Sequence, residues 1–408
     1  SSLIAERFPQ PSVTRRNTGY ALDYLAQTVL AEGGKAPLNL ARFLAGSEGT
    51  LAIMAEATLN LSPLPNARGM FVGLFDSLSK ALEAAVLAVA EGPSAVELVD
   101  DKILSMTERQ LAHRHNRFFI EGKPAAILIV EFFGDNDEVV SEKISSCREA
   151  LLAGGLSYAC PIIAPQKMSR VWALRRAGLG LLMGMKAAAK PLAFVEDTAV
   201  AVSDLPDYVA RFEEIMGRYN ADSVFYGHAS VGELQLRPVL DLGLIEDRSR
   251  MEKISLEVAE LVKEFGGALS GEHGDGRVRS PFIEAAMGIE CVSLFKQVKG
   301  LWDPGNLLNP GKIVDPAPLT SSLRSPLPPP TPPKTYFRFT DEQGIIGANA
   351  RCNGAGACRK LPAAGGTMCP SYHVTLDETH STRGRANLFR SLLSMETGDN
   401  PFDDDGLF

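Results

Sequence analysis

The stretch Gly266-Gly267-Ala268-Leu269-Ser270-Gly271-Glu272-His273-Gly274-Asp275-Gly276-Arg277 sets a helix stop, a short strand and a reactive loop end to end. Just before it, Met251, Ile254, Val258, Leu261, Val262 and Phe265 recur at helical spacing and share one face of an amphipathic helix. Gly266-Gly267 supplies the glycine that ends such a helix. Residues 268–270 then read as a strand that delivers Glu272 and His273 to an edge. A carboxylate beside an imidazole suits acid–base work near neutral pH, or a metal ligand next to a base. The flanking glycines remove side-chain bulk, so a substrate can come close. A glycine-rich turn with solvated charges is the competing reading.

Upstream, Tyr226-Gly227-His228-Ala229-Ser230-Val231-Gly232 runs into Glu233-Leu234-Gln235-Leu236-Arg237-Pro238. Strand alternation puts Glu233, Gln235 and Arg237 on one face and Leu234 and Leu236 on the other. A purely structural role for His228 stays open. Gly46-Ser47-Glu48-Gly49-Thr50 allows close backbone approach to a ligand, although taken alone a plain turn is the better reading. The alternation over 50–61 predicts one or two half-buried strands, closed by Ser62-Pro63-Leu64-Pro65. Farther along, helices are expected at 77–90, 137–152 and 205–219, with Ser77 as an N-cap, and strands at 125–133 and 192–202. This alternation predicts an α+β fold, an antiparallel sheet with helices on one face.

The 408-residue chain is 45% hydrophobic and 22% charged, as in ordinary globular proteins, with a formal charge of -8. That balance excludes a nucleic-acid surface, which needs a basic stripe. No run is long enough for a membrane helix; residues 179–189 come nearest but contain Lys186. There is no signal peptide, and a cytoplasmic setting is expected. Cys147, Cys160 and Cys291 are apolar-flanked and read as core thiols. A Pro-rich run over 315–333 reads as a semi-rigid linker. Beyond it stand Cys352, Cys358 and Cys369-Pro370. Ala355 occupies the middle position of a C-x2-C-x2-C pattern, so an iron–sulfur set lacks a ligand; zinc would need His373 or His380 as well.

Several motifs in order resemble the FAD-linked oxidase family of the vanillyl-alcohol-oxidase type, and within it the D-lactate, glycolate and D-2-hydroxyglutarate dehydrogenases with an iron–sulfur tail. They are Arg16-Asn17-Thr18-Gly19-Tyr20, Gly46 to Thr50, Tyr226-Gly227-His228, Gly271-Glu272-His273-Gly274 and Asn309-Pro310-Gly311-Lys312. The tail motifs are Met368-Cys369-Pro370-Ser371-Tyr372 and His380-Ser381-Thr382-Arg383-Gly384-Arg385-Ala386. The resemblance implies oxidation of a small D-2-hydroxy acid, with His273 taking the hydroxyl proton while hydride goes to flavin. It implies Arg175 on the substrate carboxylate, with Arg237 or Lys190 as a second anion contact. It also implies that Gly46, Ser47, Glu48, Gly49, Thr50 and Asn309 line FAD.

A divalent metal such as zinc would be held by His228 and Glu272, with Gln235 where relatives carry a second His. An amide oxygen is a poorer zinc ligand than imidazole. Cys352, Cys358 and Cys369 would serve a 4Fe-4S cluster that passes electrons to a quinone, cytochrome or flavoprotein. Peripheral association with the inner membrane face and homo-oligomers are compatible with this. The expected division is 1–65, the end of an FAD-binding domain; 66–315, the substrate-binding domain; 316–337, the linker; and 338–408, a small, mainly helical ferredoxin-like segment. The glycine-rich loop that cradles the FAD pyrophosphate is expected to precede residue 1, and a second cysteine cluster to follow residue 408. The chain alone is thus expected to bind FAD weakly or not at all, and so to be inactive. Two other readings remain: an accessory electron-transfer subunit with the flavin on a partner chain, and a metal-dependent hydrolase using His228, Glu272 and His273.

Overall fold

The computed structural model describes residues 2–30, 39–185, 187–324, 333–342, 344–366 and 368–393. Residues 325–332 of the Pro-rich run and the acidic end at 403–405 lie outside these residues. The chain forms two compact units. One comprises Ser1–Ala177, Pro191–Val239 and Ser249–Ser322; the other Gly178–Lys190, Leu240–Arg248 and Leu323–Phe408.

The first unit is built on an antiparallel sheet. Its strands are β1 (Ala67–Phe75), β2 (Ala95–Asp100), β3 (Ala126–Gly134), β4 (Ile162–Ile163), β5 (Thr198–Ala199), β6 (Asp222–His228) and β7 (Glu233–Leu240). They lie in the order β4-β1-β3-β2-β6-β7, and β5 pairs with β7. Apolar runs such as Met70–Leu74 and Ile127–Val130 are fully buried, as a sheet covered on both faces requires.

One face carries helices Leu78–Ala90, Asp137–Ala153 and Leu205–Arg218. Ser77 and Asn136 cap the first two by accepting from the backbone N–H groups of Lys80 and Val139. Gly69 lets the second helix sit close, since a Cβ there would lie 2.7 Å from both Val140 and Ile144. Phe212 of the third helix meets Phe225 of β6 edge-on at 5.9 Å, the same face to which Leu234 and Leu236 point. Glu233, Gln235 and Arg237 therefore face the other way, as their alternation predicted.

Helix Ile245–Glu264 buries Met251, Ile254, Val258, Leu261 and Val262. Gly266, at φ 58°, ends it, with its N–H on the Lys263 carbonyl and that of Gly267 on Val262. A second core joins the N-terminal segment to helix Ile289–Trp302. There Phe295 lies edge-on to Tyr20 at 5.6 Å and to Phe8 at 6.2 Å, among Leu22, Phe43, Leu51, Cys291 and Ile313.

Three strand expectations fail wholly or in part. Residues 52–65 pair with no strand, and Ile53, Leu59 and Leu61 are 82%, 78% and 93% exposed. Alternation reports a half-buried surface only where a neighbouring strand takes the backbone hydrogen bonds, and among the described residues none does. Within 192–202 only Thr198–Ala199 is strand, because Asp197, at φ 73°, turns the chain just before it. The predicted strand at 268–270 is reduced to a single bridge between Ala268 and Ala199.

In the second unit the described residues form short helices, among them Ile345–Ala350 and Thr382–Leu393, and no strand past residue 240. The amide Nδ2 of Asn349 donates to the Ala386 carbonyl at 2.9 Å, and Glu378 pairs with Arg359 and Arg383. No helix among the described residues is long and apolar enough to cross a membrane.

Candidate active site

Strand register assembles the site. Val72 pairs with Ile129, Ile129 with Glu97, Glu97 with His228, and His228 with Glu233, so one row crosses five strands. Directly opposed residues point to the same face, so Glu97, His228 and Glu233 stand side by side away from the three helices. In the adjoining row Tyr226 pairs with Gln235, and beyond it Val224 with Arg237.

Glu97 is 6% exposed and ties two functional side chains together. Its Oε1 lies 2.5 Å from His228 Nδ1, and its Oε2 accepts from Arg175 Nε at 2.9 Å. The carboxylate, working against burial, raises the His228 imidazole above its ordinary pKa. Occupation of Nδ1 leaves Nε2 directed at Glu272 Oε1, 3.5 Å away. Arg175 reaches in from helix Met168–Met183 and lies 5.0 Å from the Tyr226 ring centroid. Arg237 lies 5.7 Å from the same ring and pairs with Glu196. The two expected anion-binding arginines thus approach one buried tyrosine. Lys190 belongs to the second unit, where its ammonium donates to the Met185 carbonyl and burial lowers its pKa.

The loop carrying Glu272 and His273 is held by carboxylates from elsewhere in the chain. Asp197, completely buried, accepts from the backbone N–H groups of Glu272 and His273, each at 3.0 Å, and from Ser270 Oγ at 2.6 Å. Glu48, at φ 55°, accepts from the N–H groups of Asp275 and Gly276 at 2.6 and 2.9 Å. Asp275 closes the joint by accepting from the Gly19 N–H at 2.6 Å, and burial pushes its carboxyl up to about 7. Arg15 pairs with Glu272 Oε2 at 2.5 Å. His273, 42% exposed at its side chain, places Nδ1 3.6 Å from Glu196 Oε1 and Nε2 3.7 Å from Glu272 Oε1. The Glu196 carboxylate, more than offsetting burial, raises its pKa.

The expected flavin-lining residues gather around this joint. Thr50 Oγ1 is 2.8 Å from the Tyr20 hydroxyl, and Ser47 and Thr50 are buried. Asn309 Nδ2 donates to the Glu48 carbonyl at 2.7 Å. A cavity of about 170 Å³ opens beside Gly46, lined by Arg16 to Gly19 and Tyr24. Cofactor sites measure roughly 300–1,000 Å³, so this cavity alone does not enclose a dinucleotide.

A metal fits better. One ligand atom each from His228, Glu233 and Glu272 lie within 4.8 Å of one another. Burial first, then the Asp197 and Glu272 carboxylates, pushes Glu233 up to about 8. Gln235, expected as a ligand, instead points Nε2 at Glu233 Oε1, 3.3 Å away. The thiols of Cys352, Cys358 and Cys369 do not form such a mononuclear group among the described residues. Cys369 Sγ lies 3.6 Å from the His380 carbonyl, and its thiol is drawn down to about 7 by neighbouring N–H and O–H donors.

Sequence reasoning missed Glu97, Glu196, Asp197 and Arg15 as site residues. Glu97 did leave a signal, a lone carboxylate inside the apolar run Val96-Glu97-Leu98-Val99. Glu196-Asp197 follows Phe194-Val195 in the same way.

A histidine, a carboxylate cluster and two carboxylate-paired arginines thus stand together beside one face of the antiparallel sheet. The chain belongs to the family of FAD linked oxidases, C-terminal domain, whose model matches residues 64–313. It is 33% identical over 410 residues to D-2-hydroxyglutarate dehydrogenase of Escherichia coli (strain K12), covering 96% of this chain and 39% of that protein. Against D-2-hydroxyglutarate dehydrogenase of Haemophilus influenzae the identity is 36%, covering 96% and 38%. It is also 28% identical to glycolate oxidase subunit GlcD of Bacillus subtilis (strain 168), covering 70% and 60%. The chain spans about two fifths of the length of the two D-2-hydroxyglutarate dehydrogenases.

Proposed function

We propose that this chain is the substrate-binding and proton-transferring part of an FAD-linked D-2-hydroxy-acid dehydrogenase, with D-2-hydroxyglutarate as the favoured substrate. The observation that carries this is that Arg175 and Arg237 lie 5.0 and 5.7 Å from one Tyr226 ring, with Glu196 joining Arg237 to His273. A dicarboxylate needs two cationic anchors, and guanidinium suits each carboxylate because its planar donors match two oxygens. Glu97 and Glu196 hold the two guanidiniums in place. The relatives named above for D-2-hydroxyglutarate support the same choice.

Oxidation removes hydride from C2 and a proton from its hydroxyl, and FAD, when bound, supplies the hydride acceptor. His273 takes the proton at Nε2. Its Nδ1 faces Glu196, which orients the ring and stabilises the imidazolium that forms. His228 and Glu272 would hold a divalent metal ion, which supplies Lewis-acid polarisation of a substrate oxygen. Cys352, Cys358 and Cys369 are proposed iron–sulfur ligands one short of four; iron and sulfide analysis tests that assignment.

Calorimetric titration of the purified chain with D-2-hydroxyglutarate, its L-enantiomer and D-lactate tests the substrate. Tightest binding of D-2-hydroxyglutarate is expected; no binding of any D-2-hydroxy acid would sink the reading. Equilibrium dialysis against FAD, with bleaching of the bound flavin by substrate, tests the redox half.

A further inference from the structure

We infer that the divalent metal proposed above is held in this chain by a His–Glu–Glu set, in which Glu233, and not Gln235, is the third protein ligand. The inference rests on the metal part of the proposed function and changes which residues carry it. Three geometric facts converge. Glu233 is completely buried, and its Oε2 has no hydrogen-bond partner. A buried carboxylate oxygen left unpaired costs far more than a neutral group, so a cation is its natural complement. That oxygen packs against Gly271, the residue next to Glu272, where a Cβ would lie only 2.9 Å from it, and Glu233 offers one oxygen within 4.8 Å of the His228 and Glu272 donors. The missing side chain of Gly271 therefore keeps the approach open.

Separation of the donors also fits. His228 Nε2 and Glu272 Oε1 are 3.5 Å apart. This is long for a hydrogen bond, but ligands on a tetrahedral ion at 2.0–2.2 Å stand about 3.4 Å from each other. The remaining atoms of the trio are already assigned. Glu97 holds His228 Nδ1, Arg15 holds Glu272 Oε2, and Gln235 Nε2 faces Glu233 Oε1. Each ligand thus keeps one donor atom for the ion while its second atom is fixed by a neighbour, the arrangement that orients metal ligands. Gln235 presents its amide nitrogen to Glu233, so it supports the ligand without being one. One imidazole and two carboxylates suit a first-row divalent ion such as zinc or manganese.

The test uses the whole chain, stripped with chelator and titrated calorimetrically with Zn2+ and with Mn2+, alongside E233Q, Q235A and H228A. Metal-induced increase in melting temperature is followed in parallel. One equivalent is expected to bind the unmodified chain, with affinity reduced more than about 100-fold in E233Q and H228A and only about 10- to 100-fold in Q235A. E233Q keeps size and shape but cannot ionise to hold the cation. Its metal-free form is therefore expected to melt no lower than the unmodified chain, which guards against a trivial loss of fold. Retained affinity in E233Q with loss in Q235A would overturn the inference, leaving the metal itself in place. Absence of any bound metal in the unmodified chain would overturn the inference and the metal part of the proposed function together. Binding of D-2-hydroxyglutarate, measured separately, reports on the substrate reading independently of either outcome.

Discussion

Glu97 and His228 are register partners on adjacent antiparallel strands, and the carboxylate of one meets Nδ1 of the other at 2.5 Å. The same carboxylate holds Arg175, so one buried acid positions an imidazole and a guanidinium together. E97Q keeps the volume and removes the charge. The His228 pKa is then expected to fall, because the largest cause of its rise is gone while burial remains. Titration of the imidazole by NMR checks this; an unchanged His228 would show that the contact has no electrostatic weight.

Arg175 is the residue proposed above to bind a substrate carboxylate. Lysine keeps the charge but loses the planar two-pronged donor set and the flat face that lies over Tyr226. R175K is expected to weaken D-2-hydroxyglutarate binding by about tenfold or more, while far-UV dichroism and melting temperature stay close to those of the unmodified chain. Calorimetry of the variant decides it.

Asp275 is completely buried, and its folded-state pKa of about 7 lies above the ordinary 3.8. A raised carboxyl favours the protonated form in the fold, so its contribution is complete below about pH 4 and is lost as pH rises through about 7. The unmodified chain should therefore lose stability between about pH 4 and pH 7 relative to D275N, on the order of a few kcal/mol. Asparagine can still accept from the Gly19 N–H. Parallel melting curves for the two proteins across that range are the measurement, and superimposable pH profiles would count against it.

Gly232 forms the turn between β6 and β7, at φ 72°, and a Cβ there would lie 1.9 Å from the Val200 carbonyl oxygen. Alanine must strain the backbone and displace that carbonyl, so G232A is expected to cost about 2 kcal/mol or more. The same shift would move Glu233. A variant that melts like the parent would mean that the turn can relax freely.

What could be read from the sequence was local. Helical periodicity located 77–90, 137–152 and 205–219, the Gly266-Gly267 stop ended its helix, and period-two alternation assigned Glu233, Gln235 and Arg237 to one face. Each of these depends on sterics and burial within a few residues of chain. The resemblance of ordered motifs likewise reached the family, because close backbone approach requires glycine at particular places in the chain.

Which carboxylate stands beside which cation was decided only in three dimensions. Glu97 meets His228 across a strand pair, Arg175 comes from a helix, and Asp197 seizes the loop of Glu272 and His273 from more than seventy residues away. No local period encodes strand order or register, so these pairs left only faint traces such as a lone acid in an apolar run. Residues 52–65 show the converse limit. Their alternation is real, yet a strand exists only where a neighbour completes its hydrogen bonds, and that neighbour is a property of the tertiary structure.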